Sequence, residues 1–326
     1  MHENFCCAPF TQLLAQPTGL ITPCCWNQDI ILGNINKNSI EEIWNGEKIQ
    51  KFRQEFLDNN IVSCKKHIAE IGCHKNFKKF ESKIEYAKIV KSGPQRLDLR
   101  LNGKCNLRCI MCDVWQQPND LFTEEKFWKY AREHIFPSIK EIDVLGGEPF
   151  IQKDTYKLID EVSKVNPNCT WAFVTNGNYK MNKKILSTLD KIKIRWIQVS
   201  LDSLDDKKFS EIRLDGNLQT VLNTIETLQK YRVKRILKSY FRLNSYFRLT
   251  SSFCVLESNW KEVPQFLKFC KRKRIVPILQ FAYIPLEHSL LKLNREQKIE
   301  ISNYLIQNVK GKLKAYLSPI LEPLKS

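Results

Sequence analysis

Residues 104–112 read KCNLRCIMC and place Cys105, Cys109 and Cys112 at the spacing C-x₃-C-x₂-C. Thiolates at such short spacing are ligands for metal or for an iron–sulfur cluster. A [4Fe–4S] cluster takes four thiolates, so three leave one iron open to a ligand that is not protein. A structural zinc site, the alternative for clustered cysteines, wants four protein ligands in paired C-x₂₋₄-C groups, and this spacing matches it poorly.

The triad follows directly on RLDLRLN (96–102), an alternating run that reads as a strand. Downstream, strands and helices alternate. Strands are expected at 141–147, 170–177, 195–203, 246–256 and 276–284. Helices are expected at 123–135, 155–164, near 181–190, near 217–231, at 260–273 and near 294–308. Such alternation implies parallel strands with right-handed crossovers. Six units predict an α/β fold, a partial (β/α)6 TIM-like barrel, with chemistry at the carboxyl ends of the strands. SYFRLN (239–244) followed by SYFRLT (245–250) is a short tandem duplication, too short and too few for a solenoid.

The front of the chain has a different texture. Six of the twelve cysteines fall in the first 73 residues. The absence of a secretory-type start makes metal binding a better reading than disulfides. LLAQPTGLITPCC predicts a hairpin, and NSIEEIWNGEKIQKFRQEFL a helix capped by Asn38 or Ser39. These features predict a small cysteine-rich α+β domain over 1–80. A linker helix follows over 81–94, then the barrel core over 95–290 and a helical extension over 291–326.

The net charge is +17, and residues 231–274 hold 12 basic and 2 acidic residues. That segment, with Tyr240, Phe241, Tyr246 and Phe247 interleaved, reads either as a nucleic-acid surface or as the solvated face of Lys-rich helices. No apolar run approaches the roughly 18 residues of a membrane span, and a cytoplasmic location is expected.

KCNLRCIMC at the end of a first barrel strand resembles the radical S-adenosylmethionine (SAM) superfamily motif. Met111 stands where an aromatic residue is common, at a position the resemblance sets near the adenine. LGGEPF, with Gly146, Gly147, Glu148 and Pro149, looks like the family's GGEP segment, which holds the SAM amino group. VTNGN supplies Asn176 at the segment resembling T-N-G. VSLDS supplies Ser200 and Asp202, resembling the family's S-x-D, and Arg213 resembles the arginine that meets the SAM carboxylate or ribose. The resemblance implies a [4Fe–4S] cluster on Cys105, Cys109 and Cys112. It also implies SAM as cosubstrate, reductive cleavage to a 5′-deoxyadenosyl radical, and an electron donor such as flavodoxin or ferredoxin.

The front segment is similar to SPASM/twitch auxiliary-cluster domains: Cys6, then Gly19-x₄-Cys24, then Cys64-x₂-His67-x₅-Cys73. It departs from them in having His67 and Phe77 where cysteines are usual, and in preceding the barrel. The resemblance implies one auxiliary [4Fe–4S] cluster held by Cys6, Cys24, Cys64 and either Cys73 or His67. Cys7 and Cys25 are substitutes for their neighbours, and a zinc site stays open as the alternative. Peptide or protein modification is the substrate class implied by such domains. RNA modification and a non-catalytic metal-binding interaction protein are the other readings. Cys169, Cys254 and Cys270 read as core residues.

Overall fold

The computed structural model describes residues 5–66, 84–118, 125–238, 246–282 and 285–325. His67 and Cys73 lie outside the described residues, as do the first SYFRLN copy, Tyr240 and Phe241. The chain divides into two compact units. One comprises Met1–Lys104, Gln117–Trp171 and Lys191–Lys193; the other comprises Cys105–Gln116, Ala172–Asp190 and Ile194–Ser326.

In the first unit the expected hairpin forms between Gln12–Ala15 and Leu20–Thr22. A short third strand, Gly33–Asn34, extends it. Gln12–Ala15 then pairs in parallel with Arg96–Arg100, which pairs in parallel with Glu141–Leu145. The cysteine-rich front therefore continues the same sheet as the first two barrel strands. Leu97 and Leu99 turn to an apolar face shared with Leu13, Ala15, Ile135 and Leu158. Arg96, Asp98 and Arg100 alternate to the other face.

The helix expected after Ser39 forms in two pieces, Ile40–Trp44 and Glu47–Leu57, with Gly46 at the N-cap of the second. Ser39 and Glu42 complete a reciprocal capping box.

The linker helix expected over 81–94 is corrected by the structure, because the described part, 84–94, contains no helix. Side chains from elsewhere take its backbone groups instead. Asn45 donates to Val90 O at 3.0 Å and accepts from Val90 N at 3.0 Å. Trp44 Nε1 donates to Ser92 O, and Arg53 donates to Lys88 O. Backbone groups satisfied this way gain nothing by closing an i→i−4 ladder.

In the second unit Lys193–Ser200, Arg248–Val255 and Val276–Phe281 pair in parallel in that order. Thr170–Thr175 is the remaining expected strand. All six predicted strands are present, with helices between them, and in neither unit does the sheet close on itself. Helix Arg295–Asn308 and shorter turns to Lys325 follow the last strand. No described helix is long and apolar enough to cross a membrane. Phe247 is fully buried and Tyr246 exposed, so one of the aromatics considered for base stacking serves the core instead.

Candidate functional site

The three-cysteine loop belongs to the second unit. Its Arg108–Cys109 stretch pairs antiparallel with Arg213–Leu214, and Ile110 N donates to Ile212 O at 3.0 Å. Ile110 and Met111 pack against buried Ile212, Cys254, Leu256 and Ala282. Met111 therefore anchors the loop in the core, a contact that the motif alone does not show.

Side-chain amides pin the other end of the loop. Asn176 Nδ2 donates to Asn106 Oδ1 at 2.9 Å, and Asn106 Nδ2 donates to Asn178 O at 2.7 Å. Asn178 Oδ1 accepts from Asn217 N at 2.9 Å. Gly177 makes this turn possible: its φ is +68°, and a Cβ there would lie 2.9 Å from Val199 Cγ1.

Two thiols of the triad act as acceptors. Cys105 Sγ receives Leu107 N at 3.4 Å and Asn176 Nδ2 at 3.6 Å. Cys109 Sγ receives Arg213 Nη1 at 3.7 Å. Donors aimed at sulfur suit a thiolate, the form that ligates iron. Burial pushes the Cys109 thiol up while Arg213 pulls it down, and burial pushes Cys112 up as well. Metal ligation would replace these protons.

Asp202 and Arg213, both expected at SAM, bind one another. Arg213 Nε and Nη2 each sit 2.6 Å from Asp202 Oδ2. Asp202 Oδ1 accepts from Cys254 N at 2.7 Å, and Asn259 Nδ2 holds the Asp202 and Cys254 carbonyls at 2.9 Å each. Burial disfavours the Arg213 charge, but the Asp202 carboxylate more than offsets this and raises its pKa. Ser200 Oγ lies 3.4 Å from Ser252 Oγ on the neighbouring strand. In this structure Asn176, Asp202 and Arg213 thus hold the cysteine loop.

The GGEP segment belongs to the first unit. Gly147 packs so tightly on the chain before Cys105 that a Cβ would lie 2.0 Å from Lys104 O. Gly147 N donates to Asn102 O at 3.1 Å, Glu148 N to Lys104 O at 2.8 Å, and Gln152 Nε2 to Lys104 O at 2.9 Å. Glu148 is fully buried; its Oε1 accepts from Phe150 N at 3.1 Å, and Pro149 begins the 3₁₀ turn that follows. The glycines expected to admit a ligand also admit the Asn102–Lys104 backbone. Gly146 does the same at φ +112°.

The front cysteines show the same acceptor pattern. Cys6 Sγ receives Ala8 N at 3.4 Å, Cys24 Sγ receives Asn27 N at 3.3 Å, and Cys64 Sγ receives Asn27 Nδ2 at 3.4 Å. Cys169, read as core, does the opposite and donates to Thr170 O at 3.7 Å. Cys25 lies in the field of Asp98 and Arg100, and burial pushes its thiol up to about 12. Cys7 and Cys64 are also raised by burial. Among the described residues no three His, Cys, Asp or Glu side chains converge as ligands of a single metal ion would. Thiolates of a cubane bind separate irons and need no common point. The acceptor thiols of both cysteine groups fit iron–sulfur ligation.

Comparison with known proteins agrees with this donor set. Residues 99–250 match the model of the radical SAM superfamily, and residues 6–74 match an iron–sulfur cluster-binding domain, SPASM. The radical SAM match spans a little under half of the chain, and the SPASM match lies in front of it. A radical SAM domain implies a [4Fe–4S] cluster and SAM, and a SPASM domain implies an additional iron–sulfur cluster.

Among its relatives is GTP 3′,8-cyclase of Marinobacter nauticus, 27% identical over 181 residues, which are 54% of this chain and 50% of that protein. The same enzyme of Clostridium botulinum is 30% identical over 135 residues, 40% of this chain and 42% of that one. That of Campylobacter jejuni subsp. doylei is 25% identical over 246 residues, 73% and 70% of the two chains. The chain thus spans about half the length of the first of these relatives.

Two solved structures are similar at low identity. Native anSMEcpe with bound AdoMet has a TM-score of 0.48 at 17% identity, covering 65% of this chain and 59% of that one. Streptococcus suis SuiB bound to precursor peptide SuiA has a TM-score of 0.47 at 14% identity, covering 85% and 66%.

Proposed function

We propose that this chain cleaves SAM reductively at a cluster held by Cys105, Cys109 and Cys112 and abstracts hydrogen from an organic substrate. The observation that carries the reading is the loop itself. Three thiols on C-x₃-C-x₂-C spacing lie where the core anchors Ile110 and Met111 and where Asn176 and Arg213 aim donors at two of the sulfurs. When bound, the cluster supplies one electron to SAM, giving methionine and a 5′-deoxyadenosyl radical.

This chain's residues hold the loop, exclude water and set the charge around it. Glu148, Ser200 and the Gly146–Gly147 turn remain the groups proposed to orient SAM. Cys6, Cys24 and Cys64, with Cys73 or His67, are proposed to hold the auxiliary cluster. An acidic one-electron protein donor of flavodoxin or ferredoxin type is the proposed partner.

A purine nucleotide is the first substrate to test, because the sequence relatives are GTP 3′,8-cyclases. Peptide modification is the second reading, favoured by the SPASM match at residues 6–74. The test is anaerobic reconstitution with iron and sulfide, reduction, and measurement of 5′-deoxyadenosine with GTP, with a ribosomal peptide pool, or with neither. Cys105→Ala is expected to abolish 5′-deoxyadenosine in every case. Undiminished cleavage by that variant would overturn the mechanism.

A further inference from the structure

We infer that Asn27 is the residue that joins two ligands of the auxiliary cluster and sets its reduction potential. The inference rests on the proposed assignment of Cys24 and Cys64 as ligands of that cluster.

Asn27 follows the Cys24–Cys25 turn and is 1% exposed. Its backbone N–H points at Cys24 Sγ, 3.3 Å away. Its side-chain amide crosses to a segment 37 residues later, donating to Cys64 Sγ at 3.4 Å and to Ser63 O at 3.0 Å. One residue thus supplies a donor to each of two candidate ligands that are far apart in sequence. The amide orientation follows from Ser63 O, since a carbonyl can only accept.

The arrangement is maintained at a cost. Asn27 Oδ1 is buried and has no hydrogen-bond partner among the described residues. A buried, unpaired carbonyl is unfavourable, so a side chain chosen for packing alone would be apolar here. What the amide gains is its donor on sulfur. The opposite wall of the segment is fixed separately: Glu55 accepts from Val62 N at 3.0 Å, from Ser63 N at 2.7 Å and from Ser63 Oγ. Cys64 is therefore already placed by Glu55, and the Asn27 amide adds a dipole directed at its sulfur.

Hydrogen bonds to ligand sulfur stabilise the reduced, more negative state of a cluster and raise its potential. Removing the Asn27 donor should lower the potential, and replacing it with a carboxylate should lower it further. Neither change replaces a ligand.

The experiment uses the full chain carrying Cys105→Ala, Cys109→Ala and Cys112→Ala, so that only the front cluster is read. Asn27, Asn27→Leu and Asn27→Asp forms are reconstituted anaerobically, assayed for iron, and titrated by EPR-monitored potentiometry. The expected result is a midpoint that falls in the order Asn, Leu, Asp, at equal iron per folded chain. An unchanged midpoint at equal iron would overturn the inference, as would lower iron or melting temperature with an unchanged midpoint in the clusters that remain. A triple-alanine protein that binds zinc, or no iron at all, would overturn the auxiliary-cluster assignment itself, a failure visible before any Asn27 variant is made.

Discussion

Arg213 places both Nε and Nη2 2.6 Å from a single oxygen of Asp202, in a site where Arg213 is 8% exposed and Asp202 1%. Both residues come from the ends of barrel elements, and Arg213 also reaches Cys109 Sγ. The pair is the electrostatic floor of the cysteine loop.

Breaking that pair leaves a buried charge uncompensated. Asp202→Ala is expected to cost about 3–5 kcal/mol in urea unfolding. The double change Asp202→Leu with Arg213→Met is expected to cost clearly less than the sum of the single changes. Additive losses would show that the two side chains are not coupled.

Asp98 gives a pH signature. Burial raises its carboxyl to about 6, with Asp143 adding to the shift and Arg100 and Arg96 opposing it. The folded state holds the proton more tightly than the unfolded chain, where the pKa is about 3.9. Asp98 therefore begins to destabilise the fold as pH rises above about 4, and the full penalty is present above about 6. Asp98→Asn is expected to be about 2–3 kcal/mol more stable than wild type at pH 7.5, with the difference shrinking toward zero at pH 4. Denaturant titrations at the two pH values measure this directly.

Gly147 tests the contact on the chain that leads into Cys105. A Cβ 2.0 Å from Lys104 O must displace backbone on one side. Gly147→Ala is expected to lower stability by about 1–3 kcal/mol. Displacement of the chain leading into Cys105 is expected to cut 5′-deoxyadenosine formation on the order of a hundredfold. Normal cleavage at lowered stability would show that Gly147 serves packing alone.

Glu55 supports Cys64 through the 62–63 backbone. Glu55→Ala should release that segment and lower iron content by about four atoms per chain, the loss of one [4Fe–4S] cluster. Iron assay on wild type and variant, reconstituted side by side, decides it.

Much of this architecture was legible in local pattern. Each of the six barrel strands alternates apolar and polar residues or forms an apolar run, and each lies within a few residues of its predicted place. The Ser39–Glu42 capping box and the Gly19 hairpin turn are written in adjacent residues. The non-helical path of 84–94 was not legible, because Asn45, Trp44 and Arg53 take its backbone groups from some 35 to 48 residues away. The Gln12–Ala15 strand was read as part of a separate front domain. Its parallel pairing with Arg96–Arg100 spans more than eighty residues and leaves no local mark.

The amino-acid sequence by itself determined the element types, the C-x₃-C-x₂-C loop at the end of a strand and the second cysteine group at the front. These depend on side-chain periodicity and on ligand spacing within one turn of chain. Only the tertiary structure decided which thiols accept hydrogen bonds and which donate, that Asp202 and Arg213 are spent on each other, and that Asn27 bridges Cys24 and Cys64. Those facts depend on which distant groups are brought within hydrogen-bonding distance in a buried site, where an unpaired polar atom is costly and each partner is therefore chosen by the fold.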